Sequence, residues 1–251
     1  MELRLENASV SRGGFRLSGI SVSFSEGFHA IIGRSGSGKT TLLMALSGLL
    51  KLESGLLSLS GRSITGPDRD IGIIFQHPER QLFAETVFCD VSYGLMCQGT
   101  DGSEMEERTA AALRMMDIDE SKWHGSPFFL SGGERRRAAI AGILVTDPSV
   151  ILMDEPSAGL DGPSYEALLD LVLSLRSRGR MVVMVTHDEE AAAIADTVTV
   201  MDGGIIRGRG TPEEMITDSG AARISSALGI GRAVSFGSLI DGLEAFLRRQ
   251  R

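Results

Sequence analysis

The chain is poor in cysteine, in basic charge and in long apolar runs, and each shortage removes a class of protein. Its two cysteines, Cys89 and Cys97, form no CxxC pair and are too few to staple a secreted fold. A reducing cytosol is therefore expected, with both cysteines read as small apolar residues. Lys and Arg number 25 against 33 Asp and Glu, and the resulting net charge of -8 disfavours a phosphate-backbone partner, so no nucleic acid is expected. No window approaches the roughly 18 apolar residues a membrane span requires, and the stretch from Met1 to Glu6 lacks a signal-peptide apolar core. If a membrane is involved, another protein must supply it.

What is present suffices for one large domain with a small appendage: 251 residues, 42% of them hydrophobic. Alternation at Leu3 and Leu5, and at Ile20, Val22 and Phe24, predicts half-exposed antiparallel strands joined through Arg12-Gly13-Gly14. Continuous apolar runs at Ala30 to Ile32, Ile71 to Phe75, Val150 to Met153 and Met181 to Val185 predict strands buried on both faces. Helices are expected at Lys39 to Leu49, Pro163 to Ser177 and Asp188 to Ile194. This alternation predicts an α/β fold with a mostly parallel sheet flanked by helices and an N-terminal antiparallel β subdomain.

Residues 87–143 break the rhythm and read as a helical insert between core segments 1–86 and 144–215. It is expected to hold an acidic helix around Glu104 to Met116 and a second helix from Ser131. Residues 216–251 form a C-terminal extension in which Leu239, Leu243, Phe246 and Leu247 share one helical face.

Gly33-Arg34-Ser35-Gly36-Ser37-Gly38-Lys39-Thr40, followed by Thr41, fits the GxxxxGK[ST] phosphate-binding pattern, with a buried strand before it and a helix after it. The glycines let backbone N–H groups converge on phosphate oxygens, and Lys39 reaches the outer phosphates. The Thr40 hydroxyl can ligate Mg2+. Further on, an apolar strand ends in Asp154 and Glu155, at the strand end where ligands of parallel sheets collect. Asp154 is expected to hold magnesium through its water shell, and Glu155 to act as general base toward the water that attacks the γ-phosphate of ATP.

Leu130-Ser131-Gly132-Gly133-Glu134, upstream of that strand and followed by Arg137, resembles the signature motif of ABC ATPases. Gln76, the stretch Ser157-Ala158-Gly159-Leu160-Asp161, His187 and the helical insert are similar to further elements of that family, and the likeness covers about residues 1–215. It implies a dimer in which ATP lies between the phosphate loop of one subunit and Ser131, Gly132, Gly133 and Glu134 of the other. It also implies that Gln76 senses magnesium and the attacking water, that Asp161 lies at the subunit boundary, and that His187 contacts the γ-phosphate. Two departures stand out. Glu134 replaces the usual Gln, and the position that usually stacks on adenine is Arg12, with Phe15 as the alternative base contact or an ordinary core residue.

Phe75 to Phe83, Thr86-Val87, Asp90-Val91 and Ala139 to Leu144 resemble the energy-coupling-factor importers and the related cobalt or nickel uptake ATPases. That branch implies a peripheral protein on the cytoplasmic face of the membrane. Its partners would be a second ATPase subunit, a transmembrane coupling protein and a membrane protein that captures a vitamin or transition-metal ion. Leu82, Phe83, Val87 and Val91 are expected either to anchor a partner helix or to pack the insert. Two rival functions remain open: a soluble ABC ATPase acting as an ATP-gated clamp, and a small-molecule kinase.

Overall fold

The computed structural model describes residues 1–216, so the amphipathic stretch Leu239 to Leu247 lies outside the described residues. Two compact units emerge, one built from Met1–Asp68 with the described residues from Val150 onward, the other from Arg69–Ser149.

The first unit opens with β1 (Glu2–Arg12) and β2 (Phe15–Ser25), paired antiparallel with Leu3 opposite Phe24 and Leu5 opposite Val22. All four side chains are buried, as the alternation predicts. β3 (Gly27–Gly33) then leads through a glycine-rich loop into α1 (Lys39–Leu46). That helix stops three residues short of the expected end, where the Ser47 hydroxyl donates to the Met44 carbonyl and Gly48 follows. Two strands not expected from the sequence, β4 (Ser54–Leu59) and β5 (Arg62–Ile64), complete a sheet of order β2-β1-β4-β5.

The second unit contains β6 (Ile71–Ile74), α2 (Val87–Cys97), α3 (Gly102–Met115) and α4 (Gly132–Leu144). Thr86 caps α2 by accepting the Cys89 N–H, and Val87, Val91 and Leu95 recur every four residues along its buried face. Three of the four expected groove residues, Leu82, Val87 and Val91, are thus core. Phe83 alone of the four is exposed, at 62%, and meets Tyr93 edge-on at 4.9 Å. Cys89 and Cys97 are exposed, contrary to the expectation of apolar packing, because both fall off the Val87–Val91–Leu95 stripe.

The chain returns to the first unit with β7 (Val150–Asp154), α5 (Gly162–Ser177), β8 (Met181–Val185), α6 (Glu189–Ala193), β9 (Thr197–Asp202), β10 (Ile205–Gly210) and α7 (Pro212–Ile216). β7, β8, β3 and β9 lie side by side in parallel, and β10 closes the edge antiparallel to β9. Every residue of β7 and β8 is buried, which is why both read as continuous apolar runs. Because β3, β8 and β7 are parallel neighbours, the loops after Gly33, Val185 and Asp154 emerge together at one edge.

Candidate functional site

The loop after β3 is shaped by its glycines. A Cβ on Gly33, whose φ is +154°, would stand 2.2 Å from the Met201 carbonyl oxygen, and one on Gly38, at φ +100°, would lie 2.6 Å from the Phe15 ring. Neither position tolerates a side chain without displacement of its neighbours. Gly38 caps α1 with no side-chain hydrogen bond, and the first turn holds no acidic residue, so the helix start offers its amides to an external acceptor. The Gly204 N–H donates to the Ser37 carbonyl at 3.0 Å and ties the loop to the β9–β10 turn. The Ser37 hydroxyl is buried with no hydrogen-bond partner among the described residues.

Lys39 is buried, and its ammonium donates to the Gly33 carbonyl at 2.8 Å and the Arg34 carbonyl at 3.2 Å. Burial lowers its pKa, while Glu155 and Asp154 pull the other way. The Thr40 hydroxyl donates to Asp154 Oδ1 at 3.1 Å. Desolvation raises the pKa of Asp154, and the Thr40 hydrogen bond opposes the rise.

Glu155 continues the line of β7, donating its N–H to the Val185 carbonyl at 2.9 Å. Its φ of +47° is a left-handed conformation that costs a non-glycine residue about 1–3 kcal/mol. There it reaches His187, whose Nε2 lies 2.9 Å from Glu155 Oε1 and 3.4 Å from the Lys39 ammonium. A neutral imidazole nitrogen either donates to Glu155 or accepts from Lys39, so one ring position is shared between two partners. Five residues expected from the sequence, Lys39, Thr40, Asp154, Glu155 and His187, thus meet around the loop after β3.

This constellation fits magnesium by its donor chemistry. Thr40 and Asp154 present two hard oxygens side by side, and magnesium takes few protein ligands beside phosphate oxygens and water. Among the described residues no group of three or more His, Cys, Asp or Glu forms a separate metal cage.

Asp161 caps α5, accepting the Ser164 N–H at 3.0 Å. Arg12 is exposed at the end of β1, and Asp154 feels its charge. Phe15, half-buried, lies against Gly38 and Gly204 as a floor to the loop.

In the second unit, Gln76 follows β6 and its carbonyl accepts from Arg136 at 3.3 Å. Ser131 caps α4 in a complete capping box: its hydroxyl accepts the Glu134 N–H at 3.3 Å, while Glu134 Oε2 accepts the Ser131 N–H at 3.0 Å. Glu134 Oε1 also pairs with Lys122. The Lys122 and Ser131 donors together hold the Glu134 carboxyl down to about 2. Glu134 thus brings its own carboxylate to the start of α4. The Ser-x-x-Glu spacing carries that signal in the sequence.

The sequence profile described as ABC transporter matches residues 17–158. The chain belongs to the ABC transporter family. It is 41% identical over 208 residues to the energy-coupling factor transporter ATP-binding protein EcfA2 of Bacillus subtilis, covering 78% of this chain and 75% of that protein. The protein of the same name from Lactiplantibacillus plantarum is 40% identical over 232 residues, with 88% of this chain and 78% of that one covered. Among solved structures, cbiO1 from Clostridium perfringens, described as part of the ABC transporter complex cbiONQ, is 31% identical with a TM-score of 0.75, covering 89% of this chain and 94% of that one. The dimeric post-hydrolysis state of the ATP-binding cassette MJ0796, bound to ADP and Pi, is 28% identical with a TM-score of 0.74 over 83% of this chain and 98% of that one.

This ABC chain is an ATP-hydrolysing enzyme, and its α/β fold is that of the ABC ATPases. No helix among the described residues is long and apolar enough to cross a membrane.

Proposed function

We propose that this ABC ATPase is the ATP-binding and hydrolysing subunit of an energy-coupling-factor-like importer for a vitamin or transition-metal ion. The observation that carries the site assignment is the meeting of Lys39, Thr40, Asp154, Glu155 and His187 at one edge of the parallel sheet. The likeness to EcfA2 and cbiO1 proteins supports the importer branch.

ATP binds with its phosphates at the start of α1, and the Lys39 donors turn from the Gly33 and Arg34 carbonyls to phosphate oxygens. Thr40 and Asp154 hold magnesium, with Gln76 assigned to the same ion by family likeness; the ion supplies charge neutralisation at the phosphates. Glu155 accepts a proton from the attacking water as oxygen bonds to the γ-phosphorus and the bond to ADP breaks. His187 donates to the γ-phosphate oxygens. Arg12 or Phe15 contacts the base. The second wall of the site is Ser131, Gly132, Gly133 and Glu134 of a second ATPase subunit, with Asp161 at the boundary, and dimer closure on ATP is the power stroke.

Membrane partners dock on the second unit, where Phe83, Tyr93 and Met96 are exposed. The chain then sits peripherally at the cytoplasmic face, held by a transmembrane coupling protein and working with a membrane substrate-capture protein.

Glu155→Gln is expected to lower ATP turnover by about 100-fold or more while ATP still binds; wild-type turnover would remove Glu155 as the base. Purification of the tagged chain from native membranes in mild detergent tests the importer branch. Recovery with a small coupling protein and a distinct capture protein supports it. Recovery as a soluble dimer without membrane proteins leaves an ATP-gated clamp.

A further inference from the structure

His187 is poorly held by packing, since 52% of its side chain is exposed. Its position depends on the backbone to either side. On one side Thr186 is fully buried, donates its N–H to the Ile31 carbonyl of β3 at 3.1 Å, and accepts the Asp188 N–H on its hydroxyl at 2.9 Å. On the other side Asp188 caps α6, with Oδ1 accepting the Glu190 N–H at 3.0 Å and the Ala191 N–H at 3.3 Å. Those bonds are internal to α6 and would move with it. A third donor to the same oxygen comes from elsewhere, the Tyr165 hydroxyl of α5 at 2.5 Å.

We propose that Tyr165 is a positioning residue for ATP hydrolysis, fixing the His187 segment by anchoring Asp188 to α5. This rests on the assignment of His187 and Glu155 to the reaction. Tyr165 is half-buried one turn into α5, where its backbone N–H donates to the Asp161 carbonyl at 2.9 Å, so its ring stands on a helix whose start is itself capped. Burial, reinforced by Asp188, pushes the Tyr165 hydroxyl above its ordinary range, and it stays protonated as a donor throughout the working pH of an ATPase. The short hydrogen bond to a carboxylate belongs to the stronger class. Losing it frees the backbone after His187 to drift, and the ring loses its register with Glu155 and the γ-phosphate.

The test is a double-mutant cycle on the purified full chain with whatever partners accompany it, measuring single-turnover hydrolysis of radiolabelled ATP, ATP KM and melting temperature. Tyr165→Phe removes one oxygen and should lower kcat by about tenfold with KM unchanged and the melting temperature nearly so. In a His187→Ala background the same substitution should have no further effect, because Tyr165 acts through the missing ring. Asp188→Asn, which keeps an acceptor and a helix cap, should stay within about twofold of wild type.

Three results would overturn the proposal: an unchanged kcat in Tyr165→Phe, an equal loss with and without His187, or a collapse in melting temperature that accounts for the lost rate. If His187→Ala itself turns over at the wild-type rate, the assignment of His187 fails and the role of Tyr165 falls with it. Loss in His187→Ala with none in Tyr165→Phe removes Tyr165 alone.

Discussion

Two helix starts that the proposed site uses are built in opposite ways. α1 is capped by Gly38, with Lys39, Thr40 and Thr41 in its first turn and no side-chain hydrogen bond from the cap. α4 begins at Ser131 with Gly132, Gly133 and Glu134, and Glu134 folds back to close the capping box and pair with Lys122. Both hold glycine at the helix start, Gly38 as the cap of α1 and Gly132 and Gly133 in the first turn of α4. The difference lies in the third helical residue: Thr41 leaves the helix end free for a phosphate, whereas Glu134 places a carboxylate there already.

The sharpest way to break the contrast is at the open end. Lys39→Ala removes the buried ammonium and should lower ATP hydrolysis by about 100-fold or more, read as steady-state phosphate release. Near-normal release would show that the loop amides alone suffice.

At the closed end the effect is smaller and falls on stability. Ser131→Ala removes the cap hydroxyl and should destabilise the second unit by about 1 kcal/mol, read from the midpoint of urea unfolding. An unchanged midpoint would mean that the capping box does not form in solution.

Acid separates the two regions with the least perturbation. On β3, the strand that leads into the phosphate loop, His29 is buried with Nε2 bonded to the Ser25 carbonyl and Nδ1 to the Thr197 hydroxyl, and burial lowers its pKa below 6.5. Its contribution is complete above pH 6.5 and is lost as pH falls toward the folded value, because the unfolded chain binds the proton more readily. Glu134 titrates lower: its contribution is complete above about 4.5 and disappears as pH falls toward 2. The Glu134 step is small because the pair is near solvent. Wild type and Glu134→Gln should therefore lose stability in parallel from pH 7 to 5.5, and the gap between them should close below pH 4.5. A gap that persists to pH 2.5 would exclude the Lys122–Glu134 pair.

The residues that gather around the loop after β3 were legible because motif, strand and helix fall in consecutive order, as at Ile31 to Thr41 and Val150 to Glu155. Apolar runs likewise located β3, β7 and β8. Four strands escaped for a physical reason. β5 is the edge of the N-terminal sheet with β4 beside it, and the pair exposes Ser54, Gly55, Leu56 and Arg62, while β10 alternates exposed and half-buried residues around two glycines, so none shows a sustained apolar period. β9 is buried but interrupted by Thr197 and Thr199. Burial of Leu82, Val87 and Val91 could not be separated from partner docking, since either role demands an apolar side chain. The bond between Tyr165 and Asp188 spans 23 residues and two helices, and no local pattern announces it.

The exposure of both cysteines on α2 has a practical consequence. The chain contains no other thiol, and these two stand eight residues apart on one helix, about 12 Å along its axis. Maleimide dyes or spin labels applied to the unmodified sequence would therefore report on the Arg69–Ser149 unit alone, leaving the phosphate loop chemically silent. A signal change on adding ATP would then be a direct optical record of the nucleotide being felt in the other unit, with no engineered residue.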